Sequence, residues 1–298
     1  MSLRIRVFTS GLYLMTSGVV NGTDGALLID PGILPREIGT IRWYVDQGEK
    51  PAKLLVYTHH HWDHILGGQA FPSARRLAGS RFPEALESNS PLDEIRRFDD
   101  EHYIERDPPF EFLPPHELVE DGWSGDLGDV TFTLIHLPGH APDMLGMLVP
   151  AEKTLFTADM LSDVELPMID GDGSDYLASL RKIDALVASG QVETLVPGHG
   201  HVTRGADTIH ARIAEDSAYV DRLQAVINSR LNEGADEDAA VEACRLMPYR
   251  GNDGWPPMGK VHQDNVRALY GAVLRQRMGN EPRGAGRKQS TNVPDGGS

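Results

Sequence analysis

Polar and apolar residues alternate along the N-terminal run MSLRIRVFTSGLYLM, and residues 4–31 read as three strands, RIRVFT, LYLMTS and ALLID. Asn21-Gly22 and Asp24-Gly25 supply hairpin-type turns, and Pro31-Gly32 closes the third strand. Pro35 then opens a helix through about Gln47, with Ile38, Ile41 and Tyr44 or Val45 on one face. LLVYT at 54–58 is a short apolar strand. Between about 80 and 115 the chain is rich in Asp, Glu, Arg and Pro, with weak apolar periodicity. This segment reads as an excursion that includes a helix, either a solvated surface insertion or a lid.

Strands with short connections return over 127–200: VTFTLIHL, MLGMLVP, KTLFTAD and, after a helix over 175–189, ETLVPGHG. Asp175 is placed to cap that helix, and Leu177, Leu180, Ile183 or Asp184, and Leu186 or Val187 give its period. The last third predicts helices over about 207–233, 236–246 and 260–277, with the loop PYRGNDGWPPMG before the last. The stretch from 279 to 298 holds almost no apolar residues and is expected to be disordered. No heptad pattern or short repeat is present.

Composition narrows the function classes. The chain has 298 residues, 40% hydrophobic and 24% charged, enough for a substantial core. A formal charge of -16 and a pI near 5.1, with no basic stripe, argue against a nucleic-acid partner. The single cysteine, Cys244, cannot form an internal disulfide; it sits in the helical run AAVEACRLM and reads as a buried apolar side chain rather than a nucleophile. No signal peptide is legible at the N-terminus and no window approaches eighteen apolar residues, so a cytoplasmic location away from the membrane is the expectation.

The chemistry lies at the strand ends. ALLID ends in Asp30, LLVYT leads into His59, TFTLIHLPGH ends in His140, TLFTAD in Asp159 and TLVPGH in His199. Neighbouring strand ends converge on one rim, which is where open α/β sheets place ligands. The densest cluster is His59-His60-His61-Trp62-Asp63-His64. Residues i and i+2 after a strand point to the same side, so His59 and His61 can share one ion. Asp63 and His64 follow where the chain turns into a helix and can face a second ion. Imidazole and carboxylate together suit zinc, iron or manganese.

H-x-H-x-D-H, then Pro-Gly-His, a strand-terminal Asp and a late His, in that order and at about these distances, resembles the metallo-β-lactamase superfamily over residues 5–203. The resemblance implies an α/β fold, an αββα sandwich with an appended C-terminal helical region. It divides the chain into a catalytic domain over 1–205, a helical region over 206–278 and a tail over 279–298. It implies that His59, His61 and His140 hold a first metal, that Asp63, His64 and His199 hold a second, and that Asp159 bridges both. Asp30 matches an early strand-end Asp that supports ligands from behind. Two departures refine it. The β-lactamases of the superfamily lack a bridging Asp where this chain has Asp159 in TADM, so β-lactam hydrolysis is disfavoured. Flavodiiron members carry Glu at the position of His61 and a fused flavin module that is missing here.

The function so implied is a dinuclear hydrolase with two divalent ions, zinc first and iron or manganese as alternatives. A metal-bridging hydroxide attacks a thioester, ester or lactone carbonyl, with Asp63 orienting it and Asp159 completing the catalytic pair. The stretch THHHWDH and the helical C-terminal region resemble the hydroxyacylglutathione hydrolase and thioesterase branch, although its basic glutathione-holding motif is missing from the tail. Two alternatives remain open, a mononuclear iron persulfide dioxygenase and a non-catalytic metal-binding regulatory protein. The expected partner is a small-molecule substrate, with the amphipathic C-terminal helices offering a dimer contact.

Other polar groups read less sharply. His60 points away from its neighbours and reads as support or packing; His136 reads as a sheet residue with a satisfied ring. His201 either borders the pocket or sits in a loop at its mouth. His102, His116 and His210 read as surface residues without company. His262 and Asn265, an H-x-x-N pair, read as tying the last helix to the core, with substrate contact as the other option. Phe98, Tyr103, Phe110, Met160, Met168, Tyr249, Trp255 and Met258 are candidates for an apolar acyl site.

Overall fold

The computed structural model describes residues 4–48, 50–89, 91–249 and 259–280. One sheet contains β1 (Ile5–Thr9), β2 (Thr16–Asn21), β3 (Ala26–Ile29), β4 (Ala52–Val56), β5 (Arg75–Gly79) and β6 (Glu117–Val119), hydrogen-bonded in chain order. Its first three strands are antiparallel, and from β3 onward neighbours run parallel. The second sheet contains β7 (Ser124–Asp126), β8 (Thr131–His136), β9 (Leu145–Val149), β10 (Thr154–Ala158), β11 (Thr194–Pro197) and β12 (Thr203–Arg204), again in chain order. There β10 and β11 are parallel and the other neighbours antiparallel.

Side-chain alternation explains why both faces of each sheet are covered. In β3, Leu27 and Ile29 enter the layer between the sheets while Ala26 and Leu28 face the other way. In β4, Leu54 and Val56 enter the same layer and Leu55 faces out. Phe132, Leu134, Met147, Phe156 and Val196 meet them from the second sheet. Each such side chain contributes roughly 1.5–3 kcal/mol on burial. The outer face of the first sheet is covered by α1 (Pro35–Gln47), α2 (Trp62–Ile65), α3 (Phe82–Asn89) and α4 (Pro91–Glu101). The outer face of the second carries α5 (Ser174–Ala188), α6 (Ala206–Asn232), α7 (Glu237–Cys244) and α8 (Gly259–Asn280). The last three helices share one buried cluster with α5, through Ile209, Tyr219, Leu223, Val266 and Leu269. Layer by layer this is the αββα sandwich with C-terminal helices. Among the described residues, no helix is long and apolar enough to cross a membrane.

Three local expectations need correction. LYLMTS is not a strand: Tyr13 and Leu14 have φ of 53° and 48°, and β2 starts only at Thr16. A tight loop closed by Ser10 N–H to Met15 O at 2.8 Å occupies the segment instead. Asp175 does not cap α5; Gly173, at φ 81°, holds the cap position, and Asp172 Oδ1 accepts from the backbone N–H of Ser174 at 2.9 Å. The excursion holds two helices rather than one, and α4 is amphipathic, burying Ile95 and Phe98 at i, i+3 spacing. The weakly apolar strands β5, β6 and β7 were not anticipated. The tail from 281 onward and the loop 250–258, with Trp255 and Met258, lie outside the described residues.

Candidate metal centre

The ends of β3, β4, β8, β10 and β11 meet along one edge of the sandwich. Asp30 directly follows β3, His59 to His64 follow β4, His140 follows β8, Asp159 follows β10 and His199 follows β11. Asp30 and Ala158 adopt left-handed backbone, φ 43° and 48°, which turns the chain sharply out of β3 and β10. Such conformations cost non-glycine residues of order 1–3 kcal/mol and gather at functional sites.

Seven side chains form two clusters. His59, His61, His140 and Asp159 present ligand atoms within 4.8 Å of one another, and Asp63, His64 and His199 do the same. His61 Nδ1 and His140 Nε2 are 2.9 Å apart. Asp159 stands between the clusters. Its Oδ2 is 3.6 Å from His59 Nε2, 3.4 Å from His140 Nε2 and 3.5 Å from His199 Nε2, while Oδ1 is 3.2 Å from His64 Nε2. Asp63 Oδ2 lies 3.2 Å from His199 Nε2.

The outer ring nitrogens are already committed. His64 Nδ1 donates to Asp30 Oδ2 at 2.8 Å, and His199 Nδ1 donates to the carbonyl of Tyr13 at 3.0 Å. Thr58 gives its one hydroxyl proton to Asp30 Oδ2 at 2.6 Å, so its oxygen must accept from His59 Nδ1 at 3.0 Å. In all three rings the proton is fixed on Nδ1 and Nε2 is turned inward. His59 Nε2, His64 Nε2 and Asp159 Oδ1 are buried without a hydrogen-bond partner. Buried polar atoms left this way cost stability unless something binds them. Imidazole nitrogens and carboxylate oxygens in two adjoining sets fit two divalent ions of the zinc, iron or manganese type.

Charge follows the same geometry. Burial, with neighbouring imidazoles, holds His59 and His61 well below the usual histidine range, and burial also lowers His140. Burial acts in the same direction on His64 and His199, but the carboxylates around them, Asp159 foremost, win and hold both well above it. Burial opposes ionisation of Asp159, yet His64, His199 and His59 hold its carboxyl well below its ordinary value. Without metal, the carboxylates of the centre thus favour the protonated form of His64 and His199.

Glycine makes the approach of β10 and β11 possible. A Cβ on Gly198 would sit 2.0 Å from Asp159 Oδ1. The loop carrying Tyr13 is anchored in turn by Glu37 of α1, which accepts from Ser10 Oγ at 2.7 Å and from Gly11 N–H at 2.9 Å.

Two cavities open on the clusters, on either side of His61. One, of about 380 Å³, is walled by Tyr13, Trp62, Asp63, Glu94, Glu165 and His199. The other, of about 310 Å³, is walled by His140, Met168, Asp170, Asp264 and Asn265.

The sequence pattern of the metallo-beta-lactamase superfamily matches residues 13–199 of this chain. The chain belongs to that superfamily. The linear primary-alkylsulfatase of Pseudomonas sp. (strain ATCC 19151) is 23% identical, over 86% of this chain and 55% of that protein. The acyl-coenzyme A thioesterase MBLAC2 of Gallus gallus is 31% identical, over 78% of this chain and 87% of that protein. The structure of the sec-alkylsulfatase Pisa1 from Pseudomonas sp. superposes with a TM-score of 0.70 at 18% identity, covering 87% of this chain and 47% of that one. The chain therefore spans about half the length of either alkylsulfatase. At these identities the superfamily membership and the fold carry over, and the substrate does not.

The remaining histidines settle into supporting places. His60 is buried with Nδ1 2.8 Å from Asp143 Oδ1, and it also borders both cavities. His136 Nε2 donates to the carbonyl of Pro142 at 2.9 Å. His201 is exposed beside Asp163, outside both cavities. His102, His116 and His210 do have company: the Phe98 ring, Arg76 and Asp184 respectively. His262 bonds Tyr219 and the Cys244 carbonyl at 2.8 Å each, while Asn265 accepts from Ile169 N–H at 2.9 Å and donates to Pro167 O at 2.6 Å. Asn265 thus fastens α8 to the loop after Asp159 and borders a cavity, while His262 ties α8 to α6 and α7.

Of the apolar candidates, Met168 lines the site, Phe98 packs on Trp62 with ring centroids 4.4 Å apart, and Met160 is fully buried. Phe110 lines a separate cavity, Tyr249 hydrogen-bonds Asp216, and Tyr103 is exposed. Tyr13, Trp62, Asp143 and Glu165 were missed as site residues. Glu165 is pushed up to about 7 by burial, with Oε1 3.7 Å from His199 Nδ1. In the sequence it is one acid among several in the loop after Asp159, beside Asp163, Asp170 and Asp172.

Proposed function

We propose that this protein is a dinuclear metal-dependent hydrolase acting on thioesters, with related esters and lactones as further substrates. The observation that carries the reading is the Asp159 carboxylate standing between two complete donor sets. His59, His61 and His140 would hold one ion, Asp63, His64 and His199 the other, with Asp159 within reach of both. When bound, the two ions supply Lewis acidity and bring the pKa of water down to about 7. The chain's own groups do the rest. Asp30, Thr58 and the Tyr13 carbonyl fix three imidazole tautomers, so the ligand nitrogens need no reorganisation. Asp63 borders the larger cavity and is the carboxylate placed to accept a proton from an attacking water and return it to the departing sulfur or oxygen. Tyr13 and Trp62, in edge contact with ring centroids 6.4 Å apart, form an apolar wall for the substrate.

The likeness to an acyl-coenzyme A thioesterase, over most of both chains, supports the thioester reading. A second reading, sulfate-ester hydrolysis, draws on the alkylsulfatase that aligns along 86% of this chain. Protein purified without chelator is expected to carry two divalent ions per chain and to hydrolyse acyl thioesters in preference to dodecyl sulfate. Dodecyl sulfate turnover without thioester turnover would replace the first reading by the second. A chain that neither holds nor acquires metal would end both.

A further inference from the structure

Among the described residues, the charged side chains in the walls around the metal centre, histidines aside, carry one sign. Beyond the ligand carboxylates Asp63 and Asp159, the two cavities are lined by Glu94 and Glu165 on one side and by Asp170 and Asp264 on the other. Among the described residues, no Lys or Arg lines either cavity, although the chain has 28 of them. Arg42, Arg96 and Arg106 border other hollows around the excursion. Two divalent ions would more than offset Asp63 and Asp159, so the negative charge of the cleft resides on the other four carboxylates. Among the described residues, Glu94 has one distant partner, Arg97 at 3.9 Å, and Asp264 pairs with Lys260 and, at 3.9 Å, with Arg267. Glu165 and Asp170 have no Lys or Arg within ion-pair distance among the described residues. Even with Glu165 carrying a proton, three carboxylates remain. The cavity over the second cluster adds the rings of Tyr13, half exposed, and Trp62, and aromatic faces attract cations.

We infer that the cleft selects its substrate by the charge the leaving group carries near its reacting sulfur or oxygen, taking a neutral or, better, a cationic arm and rejecting one that carries carboxylates there. The inference rests on the hydrolase reading above and names its substrate class. Glutathione, whose two carboxylates outweigh its one ammonium group, would bring net like charge against Glu94, Asp170 and Asp264, and like-charge juxtaposition is how a site discriminates against a partner. An uncharged amide arm of the cysteamine type meets no such repulsion. A quaternary ammonium arm gains from both the carboxylates and the rings.

Binding of inert thioethers tests this without turnover. Metal-loaded protein is titrated by calorimetry with S-propylglutathione, S-propyl-N-acetylcysteamine and S-propylthiocholine, at low and at high salt. At low salt the glutathione ligand is expected to bind at least about tenfold more weakly than the neutral one, with the cationic ligand tightest. High salt should narrow the spread, as screening requires. Glu94→Gln and Asp170→Asn should each narrow the gap between anionic and neutral ligands while leaving the neutral ligand's affinity within about twofold. Equal affinities, tighter binding of the glutathione ligand, or no binding of any of the three overturns the inference. The parallel S-acetyl thioesters report separately. Binding in the expected order without thioester hydrolysis removes the thioesterase reading and keeps the charge selection. Hydrolysis fastest on the glutathione thioester does the reverse.

Discussion

The His64 ring is held from behind by the buried Asp30 carboxylate, Nδ1 to Oδ2 at 2.8 Å. The same carboxylate takes the Thr58 hydroxyl and the Thr58 N–H, and through Thr58 it also sets the His59 ring. One residue that touches no ion thus orients a ligand in each cluster. Asp30→Asn, which keeps the shape and removes the charge, should weaken metal binding by roughly 10–100-fold. The loss should be larger at the Asp63, His64 and His199 cluster, which Asp30 contacts directly. Chelator competition with stoichiometry read at each step checks this, and unchanged affinity at both positions would refute the orienting role.

Metal binding should release protons and strengthen as pH rises. His64 and His199 are held well above the usual histidine pKa in the metal-free protein, so both are protonated at neutral pH. An ion can bind their Nε2 atoms only by displacing those protons. Affinity therefore climbs with pH until the raised pKa values are passed and then levels off. Calorimetric titration at pH 7 in two buffers of different ionisation heat measures the protons released. A count of zero contradicts the account.

Gly198→Ala should fold and fail to load. The new Cβ would stand 2.0 Å from Asp159 Oδ1 and 2.9 Å from the Ala158 carbonyl carbon, so the shared carboxylate must move. Circular dichroism close to that of the parent, together with metal content and thioester turnover reduced towards those of Asp159→Ala, is the expected result. Normal metal content would show that Asp159 has room that the packing does not reveal.

The docking of α8 should weaken in mild acid. His262 is buried between Tyr219 and the Cys244 carbonyl, and burial lowers its pKa below the usual 6.5. The unfolded chain takes up this proton more readily, so stability from His262 is present above about pH 6.5 and is lost as pH falls below it. Thermal melts of the parent and His262→Gln, compared across that range, should show a pH-dependent fall in the parent that the variant lacks in part. Asn265→Ala should cost about 1–3 kcal/mol at any pH, because the buried Ile169 N–H and Pro167 carbonyl lose their partner.

The clusters were legible in the sequence because metal chemistry demands a few residue types at fixed spacing, and because each lay at the end of an apolar run. ALLID and LLVYT were likewise legible as strands, because both are short apolar runs. What escaped reading depends on tertiary context. LYLMTS looked like a strand, but Tyr13 and Leu14 take left-handed backbone where the chain passes His199, a constraint no local propensity records. β5, RRLAG, is a strand because neighbours on both sides supply hydrogen bonds, not because its own pattern is strong. Gly173 and Asp172 displaced Asp175 at the α5 terminus by a shift of two or three residues, the usual scale of boundary error. His116 looked solitary because its partner, Arg76, is 40 residues away.

Neither donor set belongs to one sheet. His59, His61, Asp63 and His64 follow β4 of the first, while His140, Asp159 and His199 follow β8, β10 and β11 of the second. An ion in either position is therefore a rivet through both halves of the sandwich. During synthesis, the rivet for the second position cannot close until residue 199 has left the ribosome and come to rest beside Tyr13, which was made 186 residues earlier. Without the ions, the edge of the sandwich where the cavities open loses these ties between its two sheets.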